Sequence, residues 1–143
     1  VSYQIANHPY NRKGIAEAEI VGGNLSILYS LLGSESQVNT QGKILFIEDL
    51  DEYLYHIDRM IQALKRAGML KNLAGLIVGG MSEMNDNTIP FGKTAEEIIS
   101  GAVSEYKYPV AFGFSAGHID DNNPIVFGEK VRFEVANKNT IVF

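Results

Sequence analysis

The stretch GKILFIEDLDEYLYHIDRMIQAL, residues 42–64, decides the fold, because it contains two kinds of apolar pattern in direct succession. Lys43 and the four apolar residues 44–47 that follow it predict a buried strand. From Leu50 onward apolar residues recur every three or four positions, which predicts an amphipathic helix over residues 51–67 that ends at Gly68. A buried strand followed by such a helix is the repeating unit of parallel α/β sheets.

Similar units lie on both sides of this stretch. A helix is predicted after Asn24, which suits an N-cap, and another after Thr94, where T-x-x-E with Glu97 forms a capping box. Strands are predicted at residues 18–21, 76–80, 108–112, 125–127, 131–135 and 140–143. The sequence therefore predicts one α/β domain with a mixed sheet, in which a βαβαβ core is followed by a β-meander. Residues 1–15 are interpreted as a lead-in or interdomain linker and residues 16–143 as the domain.

Composition excludes several kinds of site. The chain has 143 residues, a net charge of −5 and no basic stripe, which argues against a nucleic-acid partner. It has no cysteine, so disulfides, thiol catalysis and cysteine-bound zinc are excluded. Its three histidines are scattered without metal-binding spacing, so no metal site is predicted. No apolar run is long enough to span a membrane.

A serine motif follows the strand predicted at residues 108–112. The segment GFSAG, residues 113–117, fits the G-x-S-x-G pattern of a nucleophile elbow, in which the serine stands between a strand and a helix. The strand is predicted here, but the helix is not, because turn-forming residues and Pro124 follow. We therefore interpret Ser115 as a small residue in a strand-exit loop and not as a nucleophile.

His118 and Glu48 are better candidates for catalysis. His118 lies beyond the carboxyl end of a predicted parallel strand, where α/β sheets place functional groups, although an ordinary loop histidine remains an alternative. Glu48 ends its own strand, whereas the carboxylates from Asp49 to Glu52 are explained by the start of the next helix. If the two strands are neighbours, Glu48 can accept a hydrogen bond from His118 and fix its tautomer. That is the orienting half of a catalytic triad, and its nucleophile is missing.

Three stretches resemble the C-terminal half of the LD-carboxypeptidases, the serine peptidase family that includes the microcin C immunity proteins. They are IVGGNLSILYSLLG (20–33), GKILFIEDLDEYLYHIDRMIQAL (42–64) and PVAFGFSAGHIDDNNPIVFG (109–128). The resemblance implies a swivelling β/β/α fold and a Ser-Glu-His triad split between two domains. Glu48 and His118 match its glutamate and histidine, while the nucleophilic serine belongs to an N-terminal domain that nothing in this sequence resembles.

The resemblance also implies a substrate and a location. The implied substrate is a muropeptide that loses a terminal D-amino acid. The implied location is the cytoplasm, during cell-wall recycling, and no metal or cofactor is implied. The alternatives are hydrolysis of a microcin-type peptide conjugate, or a non-catalytic swivelling or ligand-binding module. We expect the chain to be a fragment that is inactive alone and whose partner is the missing N-terminal domain. An exposed apolar inter-domain face could also pair two copies into a homodimer.

The turn GGNL is a second candidate site. Gly22, Gly23 and Asn24 precede a predicted helix, where free amides could hold a carboxylate or border the substrate cleft. The alternative is a tight turn that needs glycine, with Asn24 as a helix cap only.

Overall fold

The computed structural model describes residues 1–143 and contains seven strands and three helices. The strands are β1 (Ser2–Ile5), β2 (Gly14–Asn24), β3 (Ile44–Leu50), β4 (Gly75–Ser82), β5 (Val110–Phe112), β6 (Lys130–Val135) and β7 (Asn139–Val142). The helices are α1 (Leu25–Ser30), α2 (Leu54–Arg66) and α3 (Ala95–Ala102). None of these helices is long and apolar enough to cross a membrane.

The strands form one mixed sheet in the order β1-β7-β6-β2-β3-β4-β5. The long strand β2 joins its two halves: residues 14–19 pair antiparallel with β6, and residues 20–24 pair parallel with β3. The order β2-β3-β4-β5 is parallel throughout, as the strand–helix pattern predicts. The prediction of a mixed sheet in a single α/β domain is confirmed.

The antiparallel half of the sheet covers one face of the parallel half, and the helices cover the other. Alternation along β3 directs Ile44 and Phe46 into one core cluster, which also contains Phe133 of β6. Leu45 and Ile47 enter the other cluster, which contains the buried faces of α2 and α3. A three-layer β/β/α arrangement follows, and it explains why β3 is apolar at every position from 44 to 47.

Three predicted elements differ from the structure. Residues 125–127 form no strand, and the meander contains β6 and β7 only. Residues 2–5 of the expected lead-in form the edge strand β1, paired with β7 from the other end of the chain. Gly22 and Gly23 do not form a turn after a strand; they lie within β2, in register with Phe46 and Ile47 of β3.

Candidate active site

Glu48 lies near the carboxyl end of β3, opposite an irregularity in β4. Ile47 pairs with Val78 and Asp49 pairs with Met81, so Glu48 stands opposite the two glycines Gly79 and Gly80. Its side chain is only 6% exposed. A carboxylate that is buried at this depth needs hydrogen-bond donors around it.

The donors come partly from a loop that crosses β4. This crossing loop, residues 113–118, leaves β5 and donates the backbone N–H of Phe114 to the carbonyl of Val78 at 3.1 Å. Gly80 donates in turn to the carbonyl of Ala116 at 3.0 Å. A Cβ at Gly79 would lie 2.4 Å from that same carbonyl oxygen, so only glycine lets the loop lie this close to β4.

The crossing loop brings His118 to Glu48. Its backbone N–H donates to Glu48 Oε2 at 3.1 Å, and its ring Nδ1 lies 2.8 Å from the same oxygen. Gly117 makes the approach feasible, because it has φ +113° and a Cβ there would lie 2.6 Å from Glu48 Oε2. The structure thus brings the two predicted residues together, although β3 and β5 are not neighbours as the sequence reasoning required.

The contact fixes the chemistry of the imidazole. A carboxylate oxygen at Nδ1 favours the neutral tautomer with its hydrogen on Nδ1, and in that tautomer the lone pair of the ring is on Nε2. The His118 side chain is 53% exposed, so this second nitrogen can meet a reactant. The hydrogen bond and the charge of Glu48 raise the pKa of His118 above its ordinary value of 6.5.

Asn24 joins this pair to a second carboxylate. Its Oδ1 accepts from the N–H of Ile27 and caps α1, while its Nδ2 lies 3.2 Å from Glu48 Oε1 and 3.1 Å from Asp49 Oδ1. Asn24 is therefore more than a helix cap. The contact of Gly22 and Gly23 with substrate stays a prediction.

The interpretation of Asp49 as part of a helix start is wrong. Helix α2 begins later, at Leu54, and has no acidic residue in its first turn. Asp49 is 2% exposed and accepts hydrogen bonds from Ser26 and from the backbone N–H of Leu50, besides the one from Asn24. A second charged residue inside a buried run was the signal for this role, because a strand core tolerates a carboxylate only with several donors.

Ser115 lies in the crossing loop and is not followed by a helix. Its carbonyl accepts from the N–H of Asn123 at 2.7 Å, which holds the loop folded back on itself. The strand–serine–helix arrangement of a nucleophile elbow is thus absent around Ser115. No group of three or more His, Asp or Glu side chains is placed to hold a metal ion.

The Glu48–His118 pair reaches the surface through His118, whose side chain is 53% exposed. A surface cavity of about 460 Å³ lies elsewhere, lined by residues that include Tyr10, Arg12 and Ser104. Enzyme sites are concave and enclose much of their ligand. With this exposure, the His118 ring lies at an open surface and is not enclosed in this way.

Most of the chain matches one family of known proteins. The sequence model of the LD-carboxypeptidase C-terminal domain matches residues 17–133. A protein named as a probable murein peptide carboxypeptidase from Bacillus subtilis is 36% identical over 133 residues, which are 90% of this chain and 40% of that protein. The microcin C7 self-immunity protein MccF from Escherichia coli is 28% identical over 93% of this chain and 38% of its own length.

A solved structure extends the likeness to the fold. The muramoyltetrapeptide carboxypeptidase from Oxalobacter formigenes superposes with a TM-score of 0.88 at 27% identity, over 99% of this chain and 48% of that one. The chain thus spans less than half the length of these relatives.

Proposed function

The chain belongs to the LD-carboxypeptidase family, whose C-terminal domain it contains, and from this premise we propose that Glu48 and His118 serve a serine nucleophile in peptide hydrolysis. The observation that carries the proposal is the 2.8 Å contact between His118 Nδ1 and Glu48 Oε2. In the neutral ring it leaves the lone pair on Nε2, which is the arrangement that a Ser-Glu-His triad requires.

Each residue then has a defined step. Nε2 of His118 takes the proton from the serine hydroxyl as the serine attacks the scissile carbonyl, and later gives it to the leaving amine. Glu48 keeps Nδ1 protonated and stabilises the imidazolium that forms between these steps. The exposure of His118 supports this assignment, since a reacting group has to approach Nε2.

The serine itself is proposed to come from the part of the whole protein that these residues do not contain. The relatives are more than twice as long as this chain, which leaves room for a nucleophile domain with its oxyanion hole. That domain would also cover His118 and complete the concave site. Without it, we expect the chain to have no hydrolytic activity.

The proposed substrate is a muropeptide that loses a terminal D-amino acid, in the cytoplasm. The names of the Bacillus subtilis and Oxalobacter formigenes relatives, which refer to murein peptide and muramoyltetrapeptide, support this class. The similarity to MccF supports a microcin-type peptide conjugate as the second candidate. Both substrates are hydrolysed with the same triad, so the two functions differ in binding and not in the roles of Glu48 and His118.

The test is hydrolysis by the whole protein, assayed on a tetrapeptide ending in a D-amino acid and on a peptide conjugate of the microcin type. His118→Ala is expected to lower kcat by about 10²–10⁴-fold, the usual contribution of a general base. Glu48→Ala is expected to lower kcat by a similar factor, because His118 loses its orientation. Ser115→Ala is the control and is expected to change kcat by less than about threefold.

Two outcomes would reject the proposal. Full activity of His118→Ala would leave Glu48 and His118 as parts of a non-catalytic module. Hydrolysis by the 143-residue chain that disappears in Ser115→Ala would make Ser115 the nucleophile.

A further inference from the structure

Two adjacent carboxylates share one side-chain amide at the carboxyl end of β3. The Nδ2 of Asn24 lies 3.2 Å from Glu48 Oε1 and 3.1 Å from Asp49 Oδ1, so one hydrogen of the amide reaches each. Neighbouring residues of a regular strand point to opposite faces. Their convergence on one amide coincides with the irregular pairing to β4 between Ile47 and Asp49.

Asn24 has no freedom to turn its amide round. Its Oδ1 accepts from the N–H of Ile27 at the start of α1, so its Nδ2 has to face the carboxylates. The donor to Glu48 Oε1 is therefore fixed by two groups that make no hydrogen bond to the Glu48 carboxylate. One is the first turn of α1, and the other is Asp49.

Asp49 is itself held on both oxygens. Its Oδ2 accepts from the backbone N–H of Ser26 at 3.0 Å and from the Ser26 hydroxyl at 2.7 Å. Its Oδ1 accepts from the backbone N–H of Leu50 at 2.9 Å in addition to Asn24. A buried carboxylate with four such donors ties the start of α1 to the end of β3.

We propose that Asp49 is a positioning residue that acts through Asn24 to hold Glu48 in the orientation that His118 needs. The proposal deepens the function proposed above and rests on it for its link to catalysis. Without the Asp49 carboxylate, the amide of Asn24 loses one of its two acceptors. The amide still reaches Glu48 Oε1, but it is no longer held in place there. Glu48 then rotates more freely, and the contact between Oε2 and His118 Nδ1 weakens.

The direct test is the tautomer of neutral His118, measured from its ring ¹⁵N chemical shifts in the 143-residue chain. In the unchanged chain the Nδ1–H form is expected to dominate. Asp49→Asn places an NH₂ group against donors, and we expect the ratio of Nδ1–H to Nε2–H to fall about tenfold, as for the loss of one charge-assisted hydrogen bond. Asp51→Asn is the matched control, because it removes an equal charge and the Asp51 side chain accepts from Asn85 Nδ2, outside the network of Asn24, Ser26 and Glu48.

The double variant Asn24→Ala/Asp49→Asn distinguishes an effect of Asp49 through Asn24 from a direct effect of its charge on His118. If Asp49 acts through Asn24, then Asp49→Asn has no further effect on the tautomer ratio once Asn24→Ala is present. An effect of equal size in both backgrounds would overturn the proposal, and so would an unchanged ratio in folded Asp49→Asn. If Asp49→Asn does not fold, Ser26→Ala replaces it, because it removes one donor from Asp49. It is expected to lower the ratio of Nδ1–H to Nε2–H by a smaller factor. An unchanged ratio in Ser26→Ala would also contradict the proposal.

The kinetic arm uses the whole protein. Asp49→Asn is expected to lower kcat about tenfold with little change in KM, since it disturbs the base and not the substrate. Loss of activity in His118→Ala but not in Asp49→Asn would reject the positioning role of Asp49 and leave the proposed function intact. Full activity in His118→Ala would reject the proposed function, and the tautomer measurement would still decide whether Asp49 orients Glu48.

Discussion

Nδ1 of His118 lies 2.8 Å from Oε2 of Glu48, although β4 separates β3, which carries Glu48, from β5, which precedes the loop of His118. The crossing loop passes over β4 where two glycines leave its surface bare, and it delivers His118 from β5 to β3. The pair therefore depends on the glycines of β4 as well as on the loop that contains His118. Four properties can therefore be tested: the pKa of His118, the pH dependence of stability, and the close backbone approaches at Gly117 and at Gly79.

The first prediction concerns the pKa of His118. Glu48 raises this pKa through a hydrogen bond and through its charge, so Glu48→Gln is expected to lower it towards 6.5. The measurement is a titration of the His118 ring proton by NMR in the 143-residue chain. Glu52→Gln removes an equal charge that contacts His56 and not His118, and it is expected to leave the titration of His118 in place. Equal drops in the two variants would mean that general charge and not the Glu48 contact sets the pKa.

The second prediction is a pH dependence of stability. Because the folded chain holds His118 at a pKa above the unfolded value of 6.5, protonation favours the folded state. This contribution is fully present below pH 6.5 and is lost as the pH rises through the raised pKa. The free energy of unfolding, measured with urea across this range, is expected to fall more with rising pH in the unchanged chain than in His118→Asn. Other titrating groups are common to both chains, so parallel curves would contradict the prediction.

The helices and parallel strands could be predicted because their signals are local. The spacing of Leu54, Ile57, Ile61 and Leu64 indicates α2 without knowledge of any partner, and the N-cap at Thr94 indicates α3. Strand β1 carries no comparable signal. Its partner β7 lies at the other end of the chain, and pairing over such a distance leaves no periodic trace in four residues.

The sequence indicated which residues form the candidate site, but not how the fold brings them together. Glu48 directly follows an apolar run and His118 lies a few residues beyond another, and these positions are visible in the sequence. The order of the strands is not visible in the sequence. The contact could be predicted from it only on the condition that β3 and β5 are neighbours, and nothing in it marks Gly79 and Gly80 as part of the approach. A carboxylate before a helix suggests a helix start, because such positions are common, but two of the donors to Asp49 come from Ser26 of α1, more than 20 residues earlier.

The third prediction tests the approach of Gly117 to Glu48. Gly117→Ala is expected to cost about 1–3 kcal/mol more than Gly113→Ala, because its Cβ would meet the Glu48 carboxylate at 2.6 Å. Gly113 is the matched control: it also has a positive φ, at +75°, but a Cβ there meets nothing within 4 Å. Its own substitution is expected to cost about 1–2 kcal/mol from the left-handed backbone alone. Urea unfolding measures both costs, and equal values would contradict a tight contact at Glu48.

The fourth prediction tests the crossing of β4 itself. Gly79→Ala would place a Cβ 2.4 Å from the carbonyl oxygen of Ala116 and 2.8 Å from the Phe46 ring, so the crossing loop has to lift. We expect a loss of about 1–3 kcal/mol in unfolding free energy, and a fall in the pKa of His118 as it moves away from Glu48.

Gly101→Ala is the control for this change. Gly101 is exposed in α3, where a Cβ meets nothing within 4 Å, and alanine there is expected to stabilise the helix by about 0.5–1 kcal/mol. It should leave the titration of His118 unchanged. If Gly79→Ala destabilises the chain but the pKa of His118 stays raised, the loop tolerates displacement over β4. The Glu48–His118 contact would then be held by Gly117 and the backbone N–H of His118, and not by the crossing.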